Sequence, residues 1–463
     1  MKDFRNIEGI FFVGIGGIGM SALALYFLKG GFSVAGYDRC ESSITDMLAE
    51  KGCRVIYDDD PQKLPPLFLD GSNKNRCLVI YTPAVPADNR IMSYFRNEDF
   101  SLSKRSEVLG VISSGTDTLA VAGTHGKTTV STMIAHLLKQ SPLDCSAFLG
   151  GISRNYNTNL LTGTGRYTVI EADEFDRSFL RLSPLMAVIT SADADHLDVY
   201  GDHETMIEAY NQFCERIRRG GRLILNRKIA GRIRIPDQLE LFTYGFDEES
   251  DYCPSNIENR IEYYSFDLKT PQGLMKDLRF PFPGIINIEN MTAAIAVAMM
   301  CGVQEDDIRK GVLLFQGVRR RFDIRVNMPG LTYIDDYAHH PEEIKACITS
   351  IREYFKGRKI TGIFQPHLYS RTRDHAQGFA RILDELDEVI LLPVYPAREE
   401  PIPGVSSEMI FDLMKCPLKR MMNKEDIPDR LDVASVDVLL TIGAGDIDRL
   451  VEPIVAKLTG KSK

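Results

Sequence analysis

The chain has 463 residues, of which 44% are hydrophobic and 26% charged, and its formal net charge is −9. This length exceeds what one hydrophobic core usually serves, so several domains are expected. The acidic balance, with no basic run longer than residues 319–321, argues against a surface that binds nucleic acid. Nine widely spaced cysteines without a CxxC pair, and no apolar stretch of about 20 residues, predict a cytoplasmic protein with reduced thiols and no membrane contact.

The first glycine turn follows an apolar strand at residues 9–13 and leads into a helix rich in Ala and Leu. Gly14, Gly16 and Gly19 match the pattern GxGxxG, and Asp38 ends the next strand. Glycines here let backbone amides approach a diphosphate, and the acid accepts hydrogen bonds from a ribose or a base. The turn therefore predicts a dinucleotide or a UDP-sugar. A turn that only packs helix on strand is the structural alternative.

A second glycine turn, VAGTHGKTT, separates a predicted strand at residues 119–122 from a predicted helix. It resembles a shortened Walker A loop, in which Gly123 and Gly126 let backbone amides surround phosphate oxygens. Lys127 adds a positive charge near the transferred group, and the Thr128 hydroxyl is a ligand suited to Mg²⁺. The turn predicts ATP binding.

Two groups follow strands of the same predicted sheet, at the edge where parallel α/β proteins bind ligands. They are Glu171, in VIEADE, and His196, in ADADH. Together with the second turn they predict a Mg²⁺ site, although Mg²⁺ prefers oxygen ligands to a histidine. For either residue alone, a helix cap or a local polar contact is the simpler interpretation.

The last third of the chain carries a basic run at residues 319–321 and the motif IDDYAHHP. Fixed guanidinium groups stabilise the charge of a transferring phosphate, whereas an isolated basic run is usually solvated. Asp336 and His340 lie between a predicted strand and a helix that begins with Pro341. A substrate-facing loop or a helix-capping cluster is favoured there over a metal site.

Strands and helices alternate along most of the chain, with period-two segments between about residues 239 and 283. The prediction is an α/β fold of three tandem domains, each built on a mostly parallel sheet. The N-terminal and C-terminal domains are expected to be Rossmann-like, and the central domain is expected to be a P-loop ATPase. The predicted boundaries are 1–112, 113–316 and 317–463.

The chain resembles the Mur ligases in an ordered set of motifs: VGIGGIGMS, GTHGKTT, EADEFDRSFL, ADADHLDVYG, NIEN, GVRRRFD, DDYAHHP, FQPHLYSRT and GAGD. The resemblance runs from Gly14 to Asp446. It implies that the three domains bind a UDP-sugar, ATP and an amino acid, in that order. It also implies peptidoglycan precursor synthesis, in which ATP activates the lactyl carboxylate of UDP-N-acetylmuramate as an acyl phosphate that L-alanine then attacks.

The resemblance implies roles for individual residues. Those expected to bind ATP are Gly123, Thr124, His125, Gly126, Lys127, Thr128, Thr129, Asn290, Arg321 and Asp336. Those expected to hold Mg²⁺ are Thr128, Glu171 and His196. Those expected to contact the sugar substrate or the amino acid are Gly14, Gly16, Gly17, Gly19, Asp38, Asn159, His340 and Arg371. The expected catalytic residues are Lys127, His196 and Arg321.

Two positions depart from the family pattern: Ile286 precedes the first asparagine of the adenine loop, and Leu368 stands where an arginine is frequent. Two other functions remain open at this point. A nicotinamide-dependent dehydrogenase would use the first turn and Asp38 but not the second turn. A non-catalytic ATP switch would use the second turn but leave Asp38 and the arginines without a role.

Overall fold

A computed structural model describes residues 4–69, 71–194, 197–260, 263–397 and 399–460. The chain divides into two compact units. The first consists of Met1–Glu258, Ser265–Pro281 and Glu289–Gln316, and the second of Asn259–Tyr264, Phe282–Ile288 and Gly317–Lys463.

The N-terminal sheet has five strands, all parallel, in the order β3-β2-β1-β4-β5. Its strands are β1 (Gly9–Val13), β2 (Ser33–Tyr37), β3 (Arg54–Ile56), β4 (Cys77–Tyr81) and β5 (Ser101–Lys104). Its helices are α1 (Ile18–Lys29), α2 (Ser43–Glu50), α3 (Pro66–Leu69), α4 (Arg90–Asn97) and α5 (Arg105–Ser114). Strand β1, with the sequence GIFFV, is buried at every position, as expected for a parallel strand covered on both faces.

The second sheet has seven strands in the order β12-β11-β10-β6-β9-β7-β8, and its neighbouring strands are parallel except for the antiparallel pair β7–β8. Its strands are β6 (Asp117–Ala122), β7 (Cys145–Ser153), β8 (Thr158–Leu161), β9 (Tyr167–Glu171), β10 (Met186–Ile189), β11 (Arg222–Asn226) and β12 (Glu240–Tyr244). The helices that follow along the chain are α6 (Lys127–Lys139), α7 (Leu197–Tyr200), α8 (His203–Glu215), α9 (Ile285–Cys301) and α10 (Glu305–Leu314).

A three-stranded sheet occupies the region of predicted period-two segments. Its strands are β13 (Cys253–Asn259), β14 (Tyr264–Thr270) and β15 (Gly273–Phe280). Strands β14 and β15 are neighbours joined by two residues, which is the geometry of a β-hairpin.

The sheet of the second unit has six strands in the order β16-β17-β21-β18-β19-β20. Its strands are β16 (Asp323–Met328), β17 (Leu331–Asp336), β18 (Ile360–Phe364), β19 (Glu388–Leu391), β20 (Lys419–Met421) and β21 (Val438–Ile442). Its helices are α11 (Pro341–Tyr354), α12 (Tyr369–Leu383), α13 (Glu408–Leu413), α14 (Ile427–Arg430) and α15 (Val451–Thr459). Strand β16 is antiparallel to β17 and the remaining pairs are parallel. The predicted fold class, α/β with mostly parallel sheets, is confirmed.

Helix α1 joins the N-terminal sheet to the second sheet, because it packs on β7 and β8 as well as on its own strands. One hydrophobic core runs from Ile10 on β1 to Ile233 beyond β11. Tyr26 on α1 contacts Phe148 on β7, with ring centroids 5.3 Å apart. The two glycine turns therefore belong to one packed unit.

The predicted boundary between residues 112 and 113 falls inside helix α5. Ile112 lies inside α5, and Ser113 and Ser114 form its last turn. The Ser113 carbonyl accepts hydrogen bonds from Thr118 Oγ1 at 3.1 Å and Arg218 Nη2 at 2.9 Å. These bonds fix the end of α5 to the start of β6 and to Arg218. The division into three domains stays a prediction.

The cysteines and the lengths of the helices bear on the prediction of reduced thiols and no membrane span. All nine cysteines are unpaired, and Cys40 is the exposed one. Within the described residues, no helix is both long enough and apolar enough to cross a membrane.

His136, on α6, is a buried histidine that the structure holds in its neutral form. Its Nε2 lies 3.0 Å from the Gly311 carbonyl, and its Nδ1 lies 3.1 Å from the Tyr156 hydroxyl. Because a carbonyl only accepts, Nε2 carries the proton and Nδ1 accepts from Tyr156. Burial lowers the pKa of His136 to about 4, and the bond to Gly311 opposes this only in part.

We predict that His136 makes the first unit acid-sensitive. The folded pKa lies below the unfolded value, so this contribution to stability is complete above about pH 6.5 and is lost as the pH falls toward about 4. Between about pH 7 and pH 5 the wild-type protein should lose about 2 kcal/mol more than His136→Gln, which has no titrating ring. Urea unfolding of both proteins at the two pH values measures the difference. An equal loss in the variant would contradict the assignment.

Candidate active site

The first glycine turn is closed by the acid at the end of β2. The backbone amide of Gly16 donates to Asp38 Oδ2 at 2.7 Å, and a Cβ on Gly16 would lie 2.8 Å from that oxygen. Gly14 has a φ of +88°, in the left-handed region that favours glycine. Gly17 is the N-cap of α1 and has no side chain to satisfy the first amides of the helix. These amides are suited to an anion.

Gly19, the third glycine of the turn, lies under the side chain of Arg105. A Cβ on Gly19 would be 2.1 Å from Arg105 Nη1, so the guanidinium occupies the space that glycine leaves. Arg105 Nη2 also donates to Asp173 Oδ2 at 2.9 Å. Arg105 thus connects α1 to the segment after β9.

The second glycine turn requires glycine at two positions. Gly123 and Gly126 have φ values of +127° and +83°. A Cβ on Gly123 would lie 2.2 Å from Thr190 Oγ1, and one on Gly126 would lie 3.0 Å from Asn290 Oδ1. The side chain of Asn290 therefore lies against the turn, close to the start of α6. Only glycine fits this close approach of backbone to side chains.

A set of hydroxyl groups fixes the second turn to the segment after β10. Thr124 Oγ1 lies 2.9 Å from Ser191 Oγ, and the amide of His125 donates to Ser191 Oγ at 2.8 Å. The amide of Asp193 donates to Thr124 Oγ1 at 3.1 Å. These bonds hold the turn in its shape before any ligand binds.

Lys127 is held by the turn and by a buried carboxylate. Its Nζ donates to the Gly123 carbonyl at 2.7 Å and to Glu174 Oε1 at 2.7 Å. The Glu174 side chain is 0% exposed and that of Lys127 is 15% exposed. Burial by itself lowers the pKa of Lys127, but the carboxylates of Glu174, Asp173 and Glu171 outweigh it and raise this pKa. The ammonium group therefore stays charged.

The predicted metal ligands lie partly within the described residues. Glu171 is the last residue of β9, and its Oε2 accepts from the amide of Gly150 at 3.0 Å. Thr128 is buried at the start of α6. Both offer oxygen, which Mg²⁺ prefers, so these two residues fit the ion. His196 lies outside the described residues. Within the part of the chain that is described, no group of three or more His, Cys, Asp or Glu side chains is arranged to hold a metal.

Asn159, expected near the sugar, is bonded to α1. Its Nδ2 donates to the Ile18 carbonyl at 2.6 Å and to Ser21 Oγ at 3.0 Å, and the residue is buried. In the structure it links β8 to the helix that follows the first turn. A contact with the sugar stays a prediction.

Arg320 and Arg321 are not freely solvated. Arg320 Nε lies 3.3 Å from Asp335 Oδ2, and its Nη2 donates to the Gly443 carbonyl at 2.5 Å. Both guanidinium groups lie over the ring of Tyr337, each 5.1 Å from its centroid. This arrangement agrees with fixed guanidinium groups and not with a solvated basic run.

Asp336, expected to meet the ATP ribose, is buried at the end of β17. Its two carboxylate oxygens accept from the amides of Phe322, at 2.6 Å, and Ala338, at 2.8 Å. Burial raises the pKa of Asp336, while Arg321 opposes the shift. The observed contacts shape the backbone on both sides of this residue, and its contact with a ribose stays a prediction.

His340 is the N-cap of α11. This agrees with the helix-capping interpretation of the IDDYAHHP motif. Its Nδ1 accepts from the amide of Glu342 at 3.4 Å, and its own amide donates to Glu343 Oε2 at 3.3 Å. Arg371, on α12, lies with its Nη1 3.4 Å from His367 Nδ1. Leu368, one of the two departures from the family pattern, has a φ of +72° at the start of α12.

The residues that sequence reasoning missed are Arg105, Asp173, Glu174 and Ser191. The motif EADEFDRSFL contained a signal, because it carries Asp173 and Glu174 just after Glu171. Their partners lie 68 and 47 residues away in the sequence, so the pairing was not readable. No local pattern singles out Arg105 or Ser191.

Comparison with family models gives three matches that follow one another along the chain. Residues 9–116 match the model described as Mur ligase family, catalytic domain. Residues 121–298 match the Mur ligase middle domain, and residues 320–447 match the Mur ligase, glutamate ligase domain.

Individual relatives are similar over nearly the whole length. The UDP-N-acetylmuramate--L-alanine ligase of Parabacteroides distasonis is 48% identical over 98% of this chain and 97% of its own. The crystal structure of the UDP-N-acetylmuramate-alanine ligase from Thermotoga maritima aligns with a TM-score of 0.84 and 28% identity, over 98% of this chain and 100% of its own. A murein peptide ligase from Psychrobacter arcticus aligns with a TM-score of 0.70 at 19% identity, over 98% of this chain and 100% of its own, and shares the fold. On this near full-length similarity, the chain belongs to the Mur ligase family.

Proposed function

We propose that this protein joins L-alanine to the lactyl carboxylate of UDP-N-acetylmuramate, with ATP as the energy source, in peptidoglycan precursor synthesis. The observation that carries the proposal is the 48% identity, across almost the whole chain, to a ligase named for these two substrates. The fold alone does not choose the acceptor, because the murein peptide ligase shares it. The two glycine turns support the proposal independently, since each has the backbone of an anion site.

The second turn is proposed to bind the ATP phosphates. Its amides at the start of α6, with Gly123 and Gly126 in conformations that suit glycine, form the cradle. Lys127 lies inside this cradle and carries a charge before the nucleotide arrives. Thr124, His125 and Thr129 complete the turn, and Asn290 lies beside it. Arg321 and Asp336 are also proposed to bind ATP.

The chemistry needs ATP because a carboxylate is a poor electrophile. The lactyl carboxylate attacks the terminal phosphorus, the bond to ADP breaks, and a mixed anhydride forms. The amine of L-alanine then attacks the carbonyl, inorganic phosphate leaves, and the amine proton passes to solvent or a nearby base. Lys127 stabilises the negative charge that accumulates on the phosphoryl oxygens.

Mg²⁺ would be held by the Thr128 hydroxyl and the Glu171 carboxylate, with His196 as a further proposed ligand. When bound, it neutralises charge on the phosphates. Glu171 is fixed for this role by the bond from the Gly150 amide.

The first turn is proposed to bind the UDP diphosphate. The amides around Gly17 at the start of α1 face the anion, while Asp38 keeps the turn in shape through Gly16. In the second unit, His340 and Arg371 are proposed to bind L-alanine. The predicted ranges 1–112, 113–316 and 317–463 are kept as the UDP-sugar, ATP and amino-acid domains, and a cytoplasmic location goes with these substrates.

We predict that Lys127→Ala lowers phosphate release from ATP at least about a hundredfold, because it removes the charge that faces the transferred group. Binding of the UDP-sugar should be nearly unchanged. Lys139→Ala is the control, since Lys139 ends the same helix and bonds the Thr162 carbonyl at 2.9 Å. Activity of Lys127→Ala close to that of the control would refute the phosphate role.

Asp38→Ala should raise the dissociation constant of the UDP-sugar by about tenfold, because the Gly16 amide loses its acceptor and the turn loses its shape. ATP binding should stay the same. Calorimetric titration of each ligand measures this, with Glu41→Ala, an exposed acid on the same loop, as the control. A loss of ATP affinity instead of UDP-sugar affinity would reverse the assignment of the two turns.

The acceptor is predicted to be L-alanine, with glycine and L-serine used weakly. One methyl or hydroxyl group changes binding by only about 1 to 3 kcal/mol in an apolar pocket. Purified enzyme should be given L-alanine, glycine, L-serine and the tripeptide L-alanyl-γ-D-glutamyl-meso-diaminopimelate together, and the mass of the UDP-linked product recorded. The tripeptide is the acceptor in the name of a structurally similar ligase. A dominant tripeptide product would leave the ligase chemistry standing and refute the acceptor.

A further inference from the structure

A pocket in the first unit lies between the start of α1, the start of α5 and the end of β9. Its lining includes Gly19, Ala22, Arg105, Phe148, Glu171 and Asp173. The pocket has an apolar side, a guanidinium group and two carboxylates. Its borders connect the turn proposed for the diphosphate with the residue proposed for the metal.

Arg105 is the cation of this pocket. Its side chain is 22% exposed, and Nη2 is held by Asp173 at 2.9 Å. Arginine presents five donors in a planar fork, so the bond to Asp173 fixes the group and leaves donors for another anion. Asp173 is fixed in turn, because its Oδ1 accepts from the amide of Phe175 at 3.1 Å.

The Arg105 guanidinium lies against α1 at Gly19, where the absence of a side chain leaves room for it. Because a Cβ on Gly19 would lie 2.1 Å from Nη1, any larger residue there must displace this group. The atom displaced is the far end of a flexible side chain, so the guanidinium can move without a shift of the backbone. Gly19 therefore makes room for the Arg105 side chain, in addition to its place in the first glycine turn.

We propose that Arg105 binds the carboxylate of the lactyl group of the UDP-sugar and positions it for phosphorylation, and that Gly19 makes the room for this contact. The inference rests on the proposed function and adds a substrate-binding residue to it. The apolar side of the pocket, with Ala22 and Phe148, suits the methyl group of a lactyl ether. The carboxylate would then lie in the same pocket as Glu171.

The test compares two ligands that differ in the lactyl group. UDP-N-acetylglucosamine lacks it, and UDP-N-acetylmuramate carries it. The ratio of their dissociation constants, measured by calorimetry without ATP, reports what the lactyl group contributes. We expect the wild-type enzyme to bind UDP-N-acetylmuramate more tightly than UDP-N-acetylglucosamine. Arg105→Ala should reduce the ratio of the two dissociation constants by about tenfold to a hundredfold, with little change in the dissociation constant of UDP-N-acetylglucosamine.

Two variants keep the test informative if Arg105→Ala does not fold. Arg105→Lys keeps a charge beside Asp173 but loses the planar fork, so part of the preference should remain. Gly19→Ala keeps the arginine but moves it, and should lower the preference as well. Lys104→Ala is the control, because this neighbouring cation pairs with Asp176 at 3.3 Å and is 41% exposed. It should retain the wild-type preference.

The outcomes separate this inference from the proposed function. Wild-type preference retained in folded Arg105→Lys and Gly19→Ala proteins would overturn the role of Arg105, while product formation by the wild-type enzyme keeps the ligase assignment. If the wild-type enzyme binds both UDP-sugars equally, the lactyl group makes no contact here and the inference fails. If it forms no product from UDP-N-acetylmuramate and L-alanine, the proposed function fails.

Discussion

The segment from Glu171 to Asp176 carries four carboxylates in six residues, and the surroundings of both glycine turns depend on how these charges are balanced. Asp173 pairs with Arg105, Glu174 with Lys127 and Asp176 with Lys104. Burying a carboxylate is costly unless a cation and hydrogen bonds compensate it. The pairs therefore hold the start of α5 and the second turn against one segment.

The segment itself is anchored by packing and by the backbone. The Tyr200 hydroxyl donates to the Glu174 carbonyl at 2.6 Å, and Phe179 stacks on Phe213 with ring centroids 4.9 Å apart. Asp176 and Arg177 both have left-handed φ values, a conformation that costs energy for residues other than glycine. A rigid support of this kind suits phosphoryl transfer, in which catalysis comes mainly from positioning and from fixed charges.

The strands and the two glycine turns could be predicted from the sequence. Apolar runs such as GIFFV and the glycine spacings are local signals, and the structure confirms the elements that they predicted. Contacts between distant segments were not readable. Asn159 bonds α1 across 141 residues, and the small polar residues after Ile112 belong to a fixed helix end. The sequence does not distinguish Arg320 from the other arginines of the basic run, because its bond to the Gly443 carbonyl joins residues 123 positions apart.

We propose that the protein makes a carboxylate reactive by transferring phosphate to it. UDP-N-acetylmuramate labelled with heavy oxygen in its lactyl carboxylate tests this directly. After reaction with ATP and L-alanine, one labelled oxygen should appear in the inorganic phosphate, because the bond from that oxygen to carbon breaks when the amine attacks. Amide product accompanied by unlabelled phosphate would contradict the acyl-phosphate account.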